Sequence, residues 1–235
     1  MNILALDTSS KAASCAVLSG KELLGEFFGN AGLTHSQTIL PMVKAMLDSL
    51  RMDILEIDRF AVCVGPGSFT GLRIGIAAVK GMAMASQKLC AGVSTLETLA
   101  LNLQGVDGMI APVMDARRAQ VYAALFCGES GEVSRLTPDE AVSIEEWGAR
   151  LASLQARSVT LVGDGARLCF EKLQNTVPGL RIAPAHLLHQ RASSVALAAA
   201  ELAPAGWKPA EELAPVYLRL PQAERELREK QQGLK

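Results

Sequence analysis

The feature that most constrains the fold of this 235-residue chain is that its two halves read alike. The first half opens with an apolar run ILALD (3–7), a turn TSSKAA and a second run SCAVL (14–18). The second half repeats that order with APVMD (111–115), ARRA and QVYAALF (120–126). Further on, VCVGPGS (62–68) finds a counterpart in TLVGDGA (160–166). Short apolar runs bounded by Gly, Ser or Asp read as buried strands.

The helical stretches complete the pattern. Strands are expected at 2–8, 14–19 and 21–28, then a helix from an N-cap at Thr34 to Leu50, where Ile39, Leu40, Val43, Met46, Leu47 and Leu50 recur at helical spacing. A strand at 59–64, a glycine-rich loop Gly65–Gly71, a helix Leu72–Gln87, a strand Gly92–Ser94 and a helix Leu96–Leu103 follow. The second half predicts strands at 109–116, 120–127 and 132–136, and a helix Ser143–Leu154 opened by a Ser143/Glu146 capping box. A strand and glycine turn at 158–165 and helices at 166–174 and 192–203 close it. Two similar βββαβα halves in one chain are the organisation of the actin-like, Hsp70-like and sugar-kinase (ASKHA) ATPase fold, an α/β architecture. The expected division is an N-terminal subdomain 1–104 and a second subdomain 105–190. A C-terminal helix and segment 191–221 should pack back on the N-terminal subdomain, and a flexible tail should occupy 222–235.

Composition narrows the function classes. Hydrophobic residues make up 49% and charged residues 20%, an ordinary globular balance. A formal net charge of −1 gives no global field to attract a nucleic acid, so RNA contact would fall to a local patch or a partner. Cys15, Cys63, Cys90, Cys127 and Cys169 are scattered without CxxC spacing, which indicates neither a zinc knuckle nor a redox pair and suits a reducing cytoplasm. MNILALDTSS does not read as a signal peptide, and no apolar run has the length of a membrane span.

In the actin-like fold each strand–turn–strand brings an acidic loop to a nucleotide's phosphates and magnesium. Asp7 and Asp115 hold those places, and opposed carboxylates can bind a hydrated magnesium ion. The alternative is that each Asp closes its own turn by accepting backbone N–H groups. GPGSFTGLRIG (65–75) feeds a strand into a helix N-terminus, which turns backbone N–H groups toward an anion, with Ser68 and Thr70 as hydroxyl donors. It lacks the GKS/GKT of a Walker A loop and the GxGxxG spacing of a dinucleotide site. Asp7, Ser9, Gly65, Gly67, Ser68, Thr70, Asp115 and Arg117 are therefore the candidates for a vestigial nucleotide or phosphate site. Arg117 and Arg118 offer charge to an anion or to a partner's carboxylate. Gly71, Gly75, Ala78 and Ala85 equally make one side of the second helix small enough for close packing.

The runs ILALDTSS, THSQTILPMV, GPGSFTGLRIG, MDARRAQVYAALF and ELAPVYLR, in this order from residue 2 to about 220, resemble the TsaB (YeaZ) family. The resemblance implies a non-catalytic scaffold and activator that binds TsaD, its catalytic paralogue, with the P-loop ATPase TsaE joining the assembly. TsaD transfers a threonylcarbamoyl group to N6 of the adenosine next to the anticodon in tRNAs reading codons that begin with A. It also implies self-association as a homodimer in isolation, tRNA contact only through the complex, a cytoplasmic location and no membrane. The partner surface is expected on the two N-terminal helices, at Ile39, Val43, Met46, Leu47, Leu72, Gly75, Ala78, Val79 and Met82.

The catalytic relative carries two metal-binding histidines four residues apart on the first helix. Here His35 is followed at that spacing by Ile39, which cannot ligate a metal. His186 and His189 have no acidic or Cys partner nearby in sequence and read as structural, and His35 as bonding locally at the helix start. The expectation is no catalytic residue, no metal and no tightly held cofactor, with a weak ATP, ADP or magnesium site at a subunit boundary left open. The competing reading is an independent actin-like ATPase or small-molecule kinase, and a glycopeptidase finds neither HExxH nor a Ser-His-Asp pattern to support it.

Overall fold

The structure, a computed structural model, describes residues 1–219. The expected tail 222–235 and the end of the 191–221 segment lie outside the described residues. The first subdomain runs β1 (Asn2–Asp7), β2 (Ala13–Ser19), β3 (Glu22–Gly29), α1 (His35–Leu50), β4 (Arg59–Gly65), α2 (Phe69–Ser86), β5 (Leu89–Ser94) and α3 (Thr95–Leu101). The second runs β6 (Gly108–Arg117), β7 (Gln120–Ala123), β8 (Phe126–Glu129), β9 (Glu132–Arg135), β10 (Glu140–Ser143), α4 (Ile144–Ser153), β11 (Val159–Val162), α5 (Ala166–Leu173) and β12 (Leu180–Ile182), and α6 (Ala192–Ala200) comes after it.

The duplication is plain in the topology. The first sheet has the order β3-β2-β1-β4-β5 and the second β10-β7-β6-β11-β12. In both, the first three strands of the path are antiparallel and the last two parallel. The β8–β9 hairpin is the addition that the first half lacks. Its turn is Ser130–Gly131 with both φ positive, the left-handed pair that a tight hairpin requires.

Apolar residues of β1 alternate between two cores. Leu4 and Leu6 join Ile39, Val43, Met46, Ile76 and Val79 of α1 and α2. Ile3 and Ala5 join Val195, Ala196 and Ala199 of α6 on the other face. A strand covered on both faces has to be apolar throughout, which is why ILAL shows no alternation. Each fully buried Leu, Ile or Val contributes about 1.5–3 kcal/mol.

The structure corrects several local expectations. The run 120–127 is two strands, because the Leu125 N–H leaves the ladder to bond Thr137 Oγ1 at 2.8 Å, and β8 then pairs with Gly108–Ile110 of β6. Glu140–Ser143 and Leu180–Ile182 are short strands that the sequence pattern does not mark. Thr34 sits at the N-cap of α1 but makes no side-chain cap bond. Ser143 does cap α4 through Glu146 N–H, whereas the Glu146 carboxylate pairs with Arg150, so only half of the capping box forms.

Beyond α6 the chain returns along the first sheet. Lys208 and Cys90 exchange backbone bonds of 2.8 Å at β5, and Val216 N–H donates to Val64 O at 2.8 Å. Docking of α6 is fixed by one carboxylate. Glu26 Oε2 accepts from Arg191 Nη2 at 2.6 Å, and Oε1 accepts from Ser193 N at 3.0 Å and Ser193 Oγ at 2.8 Å in the first turn of the helix. An acidic group there also meets the positive end of the helix. Glu26→Ala, which strands these donors, is expected to cost roughly 2–4 kcal/mol in chemical denaturation.

Candidate functional site

Asp7 ends β1 with no exposed surface. Its Oδ1 accepts from Ser9 N and Ser9 Oγ, both at 2.9 Å. Burial pushes the Asp7 pKa up against these bonds and pushes the Cys63 thiol well up as well. Asp7 therefore closes its own turn, the second of the two readings open to it, and it is not among the residues that line the cleft between the two subdomains. The physical reason is that the glycine loop seals over it.

Each glycine of that loop permits one close approach. A Cβ on Gly67 would lie 2.6 Å from Ser9 O, one on Gly71 would collide with Thr8 O, and one on Gly75 with Thr8 Oγ1. Thr8 Oγ1 in turn donates to Gly71 O at 2.7 Å, and Ser68 N donates to Ser9 O at 2.7 Å. Ser68 Oγ caps α2 by accepting Gly71 N–H at 3.2 Å. The small residues thus weld α2 onto the β1–β2 turn. Gly65, at φ +136°, has its own open side against Val216 O.

The two subdomains enclose a cleft of about 450 Å³. Ser9, Gly67, Ser68 and Thr70 line one wall, Asp115 and Arg117 the other, and Lys11, Asp164, Tyr217 and Arg219, which were not among the candidate site residues, join them. Both signs of charge are present. Asp115 Oδ1 accepts Arg117 N–H at 2.7 Å, the same turn-closing bond that Asp7 makes, but its carboxylate stays exposed. Asp164 is the unusual group. Burial foremost, then the neighbouring Asp115 charge, hold its pKa at about 6, and its Oδ1 is buried without a partner.

The expectation that His35 bonds locally is corrected. Its Nε2 lies 2.6 Å from Ser10 O, so Nε2 carries the proton and ties the first turn of α1 to the cleft wall. Asn102 Nδ2 donates to Leu187 O and His189 O, and burial followed by the Arg167 charge lowers the His189 pKa. Among the described residues no cluster of three or more His, Cys, Asp or Glu has metal-binding geometry, and no helix is long and apolar enough to cross a membrane.

The helix-pair residues divide sharply. Ile39, Val43, Met46, Leu47, Leu72 and Val79 turn their side chains into the monomer's own core, and Gly75 is buried against Thr8 and Val62, so these seven expected contact residues do not lie on the solvent side of the helix pair. Ala78 and Met82 are half-buried at the rim. The solvent face carries Leu40 and Met84, 50% and 57% exposed, with Pro41, Ala77, Gly81 and Ala85. Ala77, Gly81 and Ala85 fall at i, i+4 and i+8, and a Cβ on Gly81 would meet open space.

A family model described as TsaD: tRNA N6-adenosine threonylcarbamoyltransferase matches residues 29–227. The Bacillus subtilis protein named tRNA threonylcarbamoyladenosine biosynthesis protein TsaB is 33% identical over 226 residues, 95% of this chain and 96% of its own. The solved structure of YeaZ from Pseudomonas aeruginosa matches with a TM-score of 0.76 and 29% identity, over 92% of this chain and 99% of that one. Component A of the Acidaminococcus fermentans (R)-2-hydroxyglutaryl-CoA dehydratase reaches a TM-score of 0.50 at 13% identity over 84% of this chain and 96% of its own, a likeness of fold alone.

The raised pKa of Asp164 has a signed consequence. Between its ordinary value of 3.8 and about 6 the folded chain holds a proton that the unfolded chain has lost. The charged group therefore costs stability above pH 6, and the cost fades as pH falls through that window. Asp164→Asn is expected to stabilise the protein by about 1–2 kcal/mol at pH 7, with the gain shrinking toward pH 4. Denaturant titrations of both proteins at the two pH values measure it.

Proposed function

The chain belongs to the TsaB (YeaZ) family, and from that premise we propose that it serves tRNA threonylcarbamoyladenosine biosynthesis as a docking and activating subunit without chemistry of its own. The observation that carries this reading is the solvent face of α1 and α2. Its row of Ala77, Gly81 and Ala85 on α2 lets a partner helix approach closely, and Leu40 of α1 and Met84 of α2 add exposed apolar side chains. A TsaD-like catalytic paralogue is the partner that fits, and a second copy of this chain can use the same face about a two-fold axis. The side chains that supply affinity in such a contact are those that lose water on docking, so they lie on this outer face.

Docking here would act on chemistry at a distance. The first turn of α1 is tied to Ser10 through His35, and α2 to Thr8 and Ser9, so the face is held rigidly to the cleft edge. A rigid face presents its contacts without an ordering cost. A TsaE-like ATPase would join at the partner boundary, and tRNA would be held through the complex, in the cytoplasm. The kinase or ATPase alternative is weakened by the sealed Asp7, which leaves Asp115 without an opposing carboxylate from the first turn.

Two glycine substitutions separate docking from folding. Gly81→Arg should abolish the complex with a TsaD-like partner in size-exclusion chromatography with light scattering, and leave the thermal transition within a few degrees of the parent. Gly75→Arg should instead unfold the monomer, because its Cβ already meets Thr8 and Val62. Undiminished co-elution of the Gly81→Arg protein would refute the docking face. Tight ATP–magnesium binding by the isolated chain in calorimetry would favour the ATPase instead.

A further inference from the structure

We propose that the strap Leu213–Arg219 is a latch across the cleft, fixing how far the two subdomains can part. The strap is anchored on the first subdomain at three levels. Leu213 is buried in the α1–α2 core, and Val216 N–H bonds Val64 O with its own carbonyl pressed on Gly65. Tyr217 stacks on Phe69 with ring centroids 4.8 Å apart. The Tyr217 hydroxyl accepts from Arg73 Nε at 2.9 Å, and the Arg73 guanidinium lies 3.9 Å from the Phe69 centroid.

Two residues later the strap reaches the other subdomain. Arg219 Nη1 donates to Ala116 O at 2.7 Å, at the turn end of the β6–β7 hairpin. That hairpin is itself under backbone strain, since Arg117, Arg118 and Ala119 have φ of +63°, +55° and +56° in succession. Val216 to Arg219 also form one side of the cleft. A charge-assisted bond at its far end and an aromatic stack at its near end thus span both walls, and opening the cleft requires one of them to release. This inference is independent of the docking reading, because it concerns the isolated chain.

Hydrogen–deuterium exchange on the full chain tests it. Ser9 and Ser68 amides report one wall, and the Arg117 amide reports the other; all three are hydrogen-bonded. With Arg219→Ala the latch requires all three to exchange faster, by roughly tenfold for a charge-assisted bond, and Arg219→Lys to restore much of the protection. Tyr217→Ala, which frees the other anchor, should give the same pattern. Acceleration confined to residues 216–219 in both variants would mean that the strap only covers the surface, and the latch would be wrong.

Discussion

The structure depends on the contact between the Thr8–Ser9 turn and the start of α2. Three glycines, Gly67, Gly71 and Gly75, lie where any larger residue would strike that turn, and the Thr8 hydroxyl and Ser9 carbonyl bond into the space so created. Backbone-to-backbone approach of this kind leaves no room for adjustment, so the position of α2 is fixed by the turn. That placement has three functional consequences. It seals Asp7, it forms one wall of the cleft, and it fixes which side of α2 meets water.

The legible part of this architecture was its period. Two matching strand–Asp–turn–strand units predicted two matching sheets, and the strand orders agree pair by pair. What the sequence hid were events that apolarity does not mark. The run through Ala124 and Leu125 stays apolar across a break between strands, because both residues remain buried while the ladder partner changes. The helix pair and the glycine loop were legible in the sequence, and the side of the pair that meets water was not. The stripe Ile39–Val43–Met46–Leu47 is the strongest pattern in α1, and strong stripes face cores. The solvent side, where docking is proposed, is written in weaker letters, Ala77, Gly81 and Ala85, whose signal is small size at a spacing of four. Asp164, Tyr217 and Arg219 were invisible as site residues, since only the tertiary fold brings them to one cleft.

Equivalent positions in the two halves have opposite environments. Asp7 ends β1, Asp115 lies two residues before the end of β6, and each accepts the N–H two residues on. Yet Asp7 has no exposed surface, whereas Asp115 opens on the cleft. The difference lies in the segment that leaves the fourth strand of each sheet. Both segments have three residues, and they differ in where they pack. In the first half Pro66–Ser68 folds over the turn, with Gly67 against Ser9; in the second, Gly163–Asp164–Gly165 packs on the β6 backbone at Val113 and Met114 and leaves the Asp115 carboxylate uncovered. The cost is displaced onto Asp164, whose carboxyl is buried beside Asp115 with one oxygen unpaired.

That asymmetry bears on how this fold would suit the proposed docking role. A magnesium–phosphate site in such a cleft needs acidic groups from both walls, free of other partners and able to stay ionised. Here the first-wall carboxylate is committed to its own turn, and burial raises its pKa. The same seal that removes it from the cleft clamps α2 to β1 through Thr8, and a clamped helix is the better docking surface because it loses little freedom on binding. Under the proposed docking role, rigidity at the turn would trade a metal position for a preorganised face. A substitution that reopened the turn would loosen α2 before it restored an ion site, since Gly67, Gly71 and Gly75 all pack on the residues directly after Asp7.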